Sequence, residues 1–262
     1  LLLMIPVIIG VSFLVFFIMD LAPGDAVDIL APEGATAEDL EAIRHDLGLD
    51  QPVIVRYVKY MGGMLHGDMG VSYVSKTDVF DTYMEKLPAT IKLSFASILV
   101  SILLSVPLGI YSATRQGTVQ DNISMIVAMI GLSMPNFWLG LLLIIVFSLN
   151  LGWFPSGGDQ TLSSIVLPAI TIGTGLMATL TRTTRSSMLD VLKQEYLRTA
   201  RAKGIPEKIV ITSHALRNAL IPIITIIGTQ LAGVLGGSVL TETVFAWPGV
   251  GRLIVDSLNM RD

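Results

Sequence analysis

Long uninterrupted runs of apolar residues dominate the chain, and five of them are long enough to cross a lipid bilayer. A transmembrane helix needs about 20 mainly apolar residues. The runs that meet this length cover residues 1–19, 93–112, about 123–147, 162–181 and 219–240, and none of them contains an acidic or basic residue. The pattern therefore predicts an all-α, polytopic membrane protein with five spans.

Two shorter periodic segments lie between the first and second runs, within residues 20–88. Thr36–Leu47 predicts a short helix with Thr36 as N-cap, Asp39 as its capping-box partner and Gly48 as its end. Pro52–Leu65 predicts an amphipathic helix. We expect a small extracytoplasmic cap here, and a loosely packed loop is the alternative.

Composition supports a membrane protein and argues against several other classes. The chain is 52% hydrophobic and 15% charged, whereas soluble domains carry about 25% charged residues. It has no cysteine, its three histidines are far apart, and its net charge is −4. We therefore expect no metal site built by this chain and no nucleic-acid partner.

Basic residues predict the orientation of the bundle. The 182–217 loop contains eight of the chain's 17 lysines and arginines, and short loops rich in these residues remain in the cytoplasm. The domain organisation that follows is a first span at 1–19, an extracytoplasmic segment at 20–88 and a core at 89–262. The 182–217 loop is the main cytoplasmic element of that core.

The spans offer no charged residue for a proton relay or a buried ion pair, which secondary transporters usually contain. Neutral polar side chains do occur in them, and they are candidates for lining a path for a neutral or zwitterionic solute. Hydrogen bonding between helices is the alternative role for each of them. The candidates for the path are Ser133, Asn136, Thr174, Thr181 and Thr229.

The chain lacks the GxxxxGK[ST] loop that binds ATP, so if it takes part in ATP-driven transport, another subunit has to supply the energy. We expect no cofactor in this chain and a docking element on its cytoplasmic side. Met188–Lys203 predicts one helix that ends at Gly204, and Pro206 and Glu207 predict the first turn of the next. The candidate coupling residues are Glu195, Arg198, Thr199, Ala200, Arg201, Lys203, Gly204, His214 and Arg217. A basic loop that only orients the protein is the alternative.

This loop resembles the EAA loop of ABC importer permeases. Arg198-Thr199-Ala200 stands at the triplet position, Gly204 at the glycine, and residues 214–217 (HALR) replace the usual Leu-Pro end. The run at 196–204 (YLRTARAKG) resembles the peptide and nickel subgroup. Further runs resemble the same subgroup along the chain: 21–25 (LAPGD), 47–52 (LGLDQP), 67–72 (GDMGVS), 133–138 (SMPNFW) and 242–251 (ETVFAWPGVG).

The resemblance implies the permease core of a type I ABC importer in a prokaryotic cell membrane. It implies a role as half of a translocation path for di- or oligopeptides, with no catalytic residue of its own. The implied partners are a second permease, two ATP-binding subunits and an extracytoplasmic solute-binding protein, in a lipid bilayer. Nickel or its chelates, glutathione and opines are alternative solutes, and a passive channel or an intramembrane enzyme are rival functions.

Two departures from the subgroup concern the ends of the chain. Its permeases have a basic cluster before the first span and a sixth span after the Trp-Pro-Gly segment, and this sequence shows neither. We therefore expect a sequence trimmed at both ends.

Overall fold

The computed structural model describes residues 2–21, 27, 31 and 34–260. These residues are mainly helical, and their only bridge between extended segments pairs Val71 with Asp78. The predicted 21–25 motif lies almost entirely outside the described residues. The chain divides into two compact units, one comprising residues 1–85 and 255–262 and the other residues 86–254.

The first unit contains three helices that precede the core, α1 (Met4–Leu21), α2 (Ala37–Asp46) and α3 (Val53–Leu65). The predicted cap of α2 is confirmed, because the Thr36 hydroxyl accepts the Asp39 N–H and the Asp39 carboxylate accepts the Thr36 N–H. The hydrogen bond to Thr36 lowers the pKa of Asp39. Gly48 follows this helix with φ +66°, a left-handed conformation that favours glycine.

The second unit contains most of the remaining helices. In chain order they are α4 (Val79–Thr114), α5 (Val119–Ser133), α6 (Asn136–Leu143, continued by a π-helix at Ile144–Asn150), a 3-10 turn (Leu162–Ile165) leading into α7 (Val166–Leu192), α8 (Glu195–Ala202), α9 (Glu207–Ile209, continued by a π-helix at Val210–Ala215), α10 (Leu216–Gly237), α11 (Val239–Val244) and α12 (Val250–Met260). The first residues of α4 and the last residues of α12 belong to the first unit.

Four of the described helices or helix runs are long and apolar enough to span a membrane: Met4–Leu21, Val79–Thr114, Leu162–Leu192 and Glu207–Gly236. The third predicted span, about 123–147, is not a straight helix. Helices α5 and α6–π meet at a 96° bend, because Met134 (φ −95°, ψ 129°) and Pro135 (φ −58°, ψ 133°), the N-cap of α6, are both extended. This pair is a broken span or a re-entrant loop.

Helix α7 packs closely against its neighbours through glycines. A Cβ at Gly109 of α4 would lie 2.6 Å from Thr184 Cβ, and a Cβ at Gly131 of α5 would lie 2.5 Å from the Thr174 carbonyl oxygen. Small residues allow such close approach, and van der Waals contact is what holds helices together within a lipid bilayer. Helix α7 is thereby held on two sides, and it leads directly into the predicted coupling loop.

Candidate coupling and translocation site

The predicted coupling loop, residues 182–217, contains a break that the sequence did not predict. Helix α7 ends at Leu192, Gln194 is extended (φ −75°, ψ 141°), and a separate helix, α8, begins at Glu195. The expected single helix over 188–203 is therefore wrong. The break frees α8 from the axis of α7, so that α8 packs as a separate short helix.

One face of α8 is part of the hydrophobic core of the second unit. Leu197 is fully buried and Ala200 is 8% exposed, and both belong to a cluster with Met188, Val210 and Ala215. Ala200, one of the candidate coupling residues, is therefore covered by the protein's own core and is not open to a partner. A larger side chain at this position would meet the protein's own core.

The opposite face of α8 is exposed. It presents Glu195, Arg198 and Thr199, and Lys203 caps the end of the helix. Arg198 and Glu195 are 4.0 Å apart with side chains more than 80% exposed, a geometry that contributes little to stability. This exposed face, rather than Ala200, is the part of the predicted coupling site that another protein can contact.

The turn after α8 is fixed by glycine and by an ion pair. Gly204 has φ +75°, and a Cβ there would meet nothing within 4 Å. Arg201 donates from Nε and Nη2 to the two carboxylate oxygens of Glu207, at 3.0 and 2.8 Å. This carboxylate raises the pKa of Arg201, and Arg201 directs two donors toward its own loop.

The Tyr196 hydroxyl connects α8 to residues 214–218, which include the remaining coupling candidates. Asn218 Nδ2 donates to the Tyr196 hydroxyl at 2.7 Å and to the His214 carbonyl at 3.1 Å. His214 is half-buried and Arg217 is exposed at the start of α10. The structure thus joins α8 to the start of α10 through backbone and neutral side-chain groups.

Three of the five path candidates lie around the bend between α5 and α6. Ser133 is the last residue of α5 and Asn136 the first of α6, and both are exposed. Asn136 Oδ1 lies 2.7 Å from the position of a Cβ on Gly175, next to the half-buried Thr174. The bend therefore brings neutral polar groups from α5, α6 and α7 together.

The other two path candidates lie elsewhere. Thr181 is fully buried, and its hydroxyl has no hydrogen-bond partner among the described residues. Its carbonyl is 2.9 Å from the position of a Cβ on Gly109, so it belongs to the contact between α4 and α7. Thr229 is exposed on α10, and its hydroxyl donates to the Thr225 carbonyl at 3.0 Å.

An ion pair beside the coupling loop was missed by the sequence reasoning. Arg185 of α7 donates from Nε and Nη2 to both carboxylate oxygens of Asp121, each at 2.7 Å. Ser112 and the Gly117 N–H also donate to this carboxylate. The group ties the turn between α4 and α5 to α7, one turn before Met188 enters the core of the loop.

A second missed cluster surrounds Glu242, which is fully buried. Its carboxylate accepts hydrogen bonds from the hydroxyls of Thr90 and Ser238, at 2.9 and 2.7 Å, and from the Arg252 N–H at 3.1 Å. Trp247 Nε1 also donates to the Ala89 carbonyl at 3.0 Å. These bonds fasten the segment after α11 to α4.

Family models match the chain from end to end. Residues 105–262 match the binding-protein-dependent transport system inner membrane component, and residues 1–94 match the N-terminal part of the corresponding membrane component. The chain belongs to this permease family. The recognition of a permease of the ABC importer class from residues 196–217 and the collinear runs is thereby confirmed.

Curated relatives cover nearly the whole chain. The oligopeptide transport system permease protein AppB of Bacillus subtilis is 45% identical over 269 residues, covering 98% of this chain and 85% of the relative. The glutathione transport system permease protein GsiC of Escherichia coli K12 is 42% identical over 259 residues, covering 99% and 85%. Both relatives are bacterial permeases of transport systems named for peptides.

Solved structures show the same permease fold. A chain of the methionine ABC transporter MetNI, in inward-facing conformations, has a TM-score of 0.54 at 20% identity and covers 67% of this permease and 79% of itself. A chain of an amino acid ABC transporter crystallised with histidines has a TM-score of 0.52 at 14% identity, covering 73% and 85%. The predicted all-α permease core is confirmed, whereas the extracytoplasmic cap stays a prediction.

Proposed function

We propose that this permease forms half of the path by which an ATP-driven importer takes up di- or oligopeptides. The observation that carries the proposal is the 45% identity to an oligopeptide permease over almost the entire chain. The polar groups at the bend, Ser133, Asn136 and Thr174, are uncharged, which is compatible with a neutral or zwitterionic solute. Glutathione is the second candidate, because a glutathione permease is 42% identical over the same length.

The proposed transporter contains a second permease of similar fold, two subunits that bind and hydrolyse ATP, and an extracytoplasmic binding protein in the cytoplasmic membrane. In this arrangement the permease carries out no catalysis itself. Its polar face at the α5–α6 bend would contact the solute, and the exposed face of α8 would contact an ATP-binding subunit. Support comes from the permease family and from the position of α8 on the loop with eight of 17 basic residues.

The solute is identified most directly on the cognate binding protein. Native mass spectrometry of that protein, purified with the full-length complex, should reveal bound peptides of several lengths. If glutathione is the only ligand found on the binding protein, glutathione import replaces the proposal of peptide import. A bound nickel chelate would contradict both and favour the nickel alternative.

A further inference from the structure

Helix α3 packs along the C-terminal half of α1 through aromatic rings. Tyr57 meets Phe13 edge-on, with ring centroids 5.1 Å apart, and also lies 5.7 Å from Phe16. The Tyr60 and Phe16 rings are 5.8 Å apart. These contacts place α3 beside a helix that has the length and apolarity of a membrane span, rather than beyond the end of that helix.

Polar groups fix the same contact at two levels of α1. The Tyr57 hydroxyl donates to the Ile9 carbonyl at 3.0 Å and shares a hydrogen bond with the Ser12 hydroxyl at 2.7 Å. Arg56 forms an ion pair with Asp20, and its guanidinium lies 5.8 Å from the centre of the Phe16 ring. Tyr57 therefore reaches toward the middle of α1, while Arg56 reaches toward its end.

The depth of α3 follows from helix geometry. Phe16 and Phe13 precede the end of α1 at Leu21 by five and eight residues, which is about 8–12 Å at 1.5 Å per residue. Amphipathic helices that lie in a membrane are buried about 5–10 Å into the boundary between headgroups and acyl chains. With the end of α1 at headgroup level, the Phe16 contact of α3 lies within this range, and its Phe13 and Ile9 contacts lie deeper.

The free face of α3 is apolar. Ile54, Val58 and Leu65 are 66%, 61% and 83% exposed, and their spacing of four and seven residues places them on one side of the helix. Arg56 and Lys59 lie on a different side, where Lys59 donates to Gln51 at 2.8 Å. The helix therefore has one side for α1, one for acyl chains and one for polar headgroups.

We propose that α3 lies in the plane of the membrane and buries Ile54, Val58 and Leu65 among the acyl chains of the leaflet at the C-terminal end of α1. Acyl chains are the occupant because α1 is itself a span, and lipid surrounds a span at this depth. Tyr57 and the Arg56–Asp20 pair hold the helix at that level. The inference goes beyond peptide import and does not depend on which solute is carried.

Spin labels measure this placement directly. The sequence contains no cysteine, so single cysteines at Ile54, Val58 and Leu65, with Lys59→Cys as matched control, can carry nitroxides in the full-length transporter with cysteine-free partners in nanodiscs. Collisions with oxygen should exceed those with a water-soluble nickel chelate at the three apolar positions. At position 59, collisions with the nickel chelate should exceed those with oxygen.

Two results would overturn the proposal. Chelate collisions as frequent at positions 54, 58 and 65 as at 59 would place the apolar face in water. Protection of the three positions from both reagents would show that a protein, such as the binding protein or the second permease, covers the face instead of lipid. All three variants alter exposed side chains, so the packing of Tyr57 on α1 is retained, and the measurement requires no transport activity.

Discussion

Thr199 is exposed and the adjacent Ala200 is buried. Substitutions at these two positions therefore test subunit binding and folding separately. Ala200→Leu should destabilise the permease by about 1–3 kcal/mol, because it adds volume to the cluster around Leu197 and Met188. Thr199→Trp, on the exposed face, should change stability by less than about 0.5 kcal/mol and weaken binding of the ATP-binding subunit. Thermal denaturation and copurification measure the two effects.

The alternative role for this loop, orientation by basic residues alone, makes a different prediction for the same pair. Neither substitution changes charge, so a purely orienting loop would tolerate Thr199→Trp with normal subunit binding. Arg201→Glu is a poorer probe, because it would place a second carboxylate against Glu207 and disturb the turn itself. Wild-type copurification of Thr199→Trp would therefore count against the proposed coupling face.

Breaking the Asp121–Arg185 pair should destabilise the ends of α4, α5 and α7 that meet at this pair. Removing one member of a buried pair costs 3–5 kcal/mol, and Arg185 is 26% exposed, so we expect about 3 kcal/mol for Asp121→Asn. The double variant Asp121→Asn/Arg185→Met should regain part of the lost stability, because it removes the unpaired cation. A double mutant less stable than the single would contradict this ion-pair role.

Local chemistry was predictable from the sequence at the residue scale, whereas distant pairs were not. The Thr36 cap and the left-handed Gly204 depend on neighbours within a few positions, so sequence patterns predict them. Asp121 and Arg185 are 64 residues apart, and Thr90 and Glu242 are 152 apart. Nothing in their local sequence indicates which helices will meet, and such pairs need the tertiary structure.

Helix α8 ends in a turn in which Gly204 adopts a left-handed backbone conformation. Gly204→Ala should destabilise the turn by about 1–2 kcal/mol, because an L-residue is strained in the left-handed region, while its Cβ would meet no atom within 4 Å. Gly204→Asn is the matched control, because asparagine visits this conformation routinely and should cost less. Hydrogen exchange at residues 200–206 reports the difference, and equal exchange in both variants would exclude backbone strain as the reason for glycine.

The α5–α6 bend carries the predicted path residues, and Asn136 is the one that tests it. Asn136→Ala should lower the rate of peptide uptake while leaving ATP hydrolysis and subunit assembly intact, because it removes a polar group at the bend. Thr243→Ala on α11 is the control, since Thr243 is not a path candidate and its hydroxyl bonds only to its own helix within the described contacts. Equal uptake by the two variants would remove Asn136 from the path.

Periodicity predicted the spans but not their interruptions, for a physical reason. An apolar run predicts that a segment is buried away from water. It does not predict whether the helix formed by that segment is straight. The bend at Met134–Pro135 and the break at Lys193–Gln194 arise where the chain turns to pack against α7 and the loop core. Pro135 lies at the bend, but no residue type indicates a turn as large as 96° or the break before Glu195.

At the scale of the whole molecule, the account makes this permease one half of an ATP-driven path for peptides. Uptake of a labelled oligopeptide into proteoliposomes tests this most directly, with the full-length permease, its partner permease, the ATP-binding subunits and loaded binding protein. The account predicts that peptide accumulates against its gradient only with ATP on the cytoplasmic side. Equal uptake without ATP, limited to equilibration of the gradient, would indicate a passive channel and contradict the account.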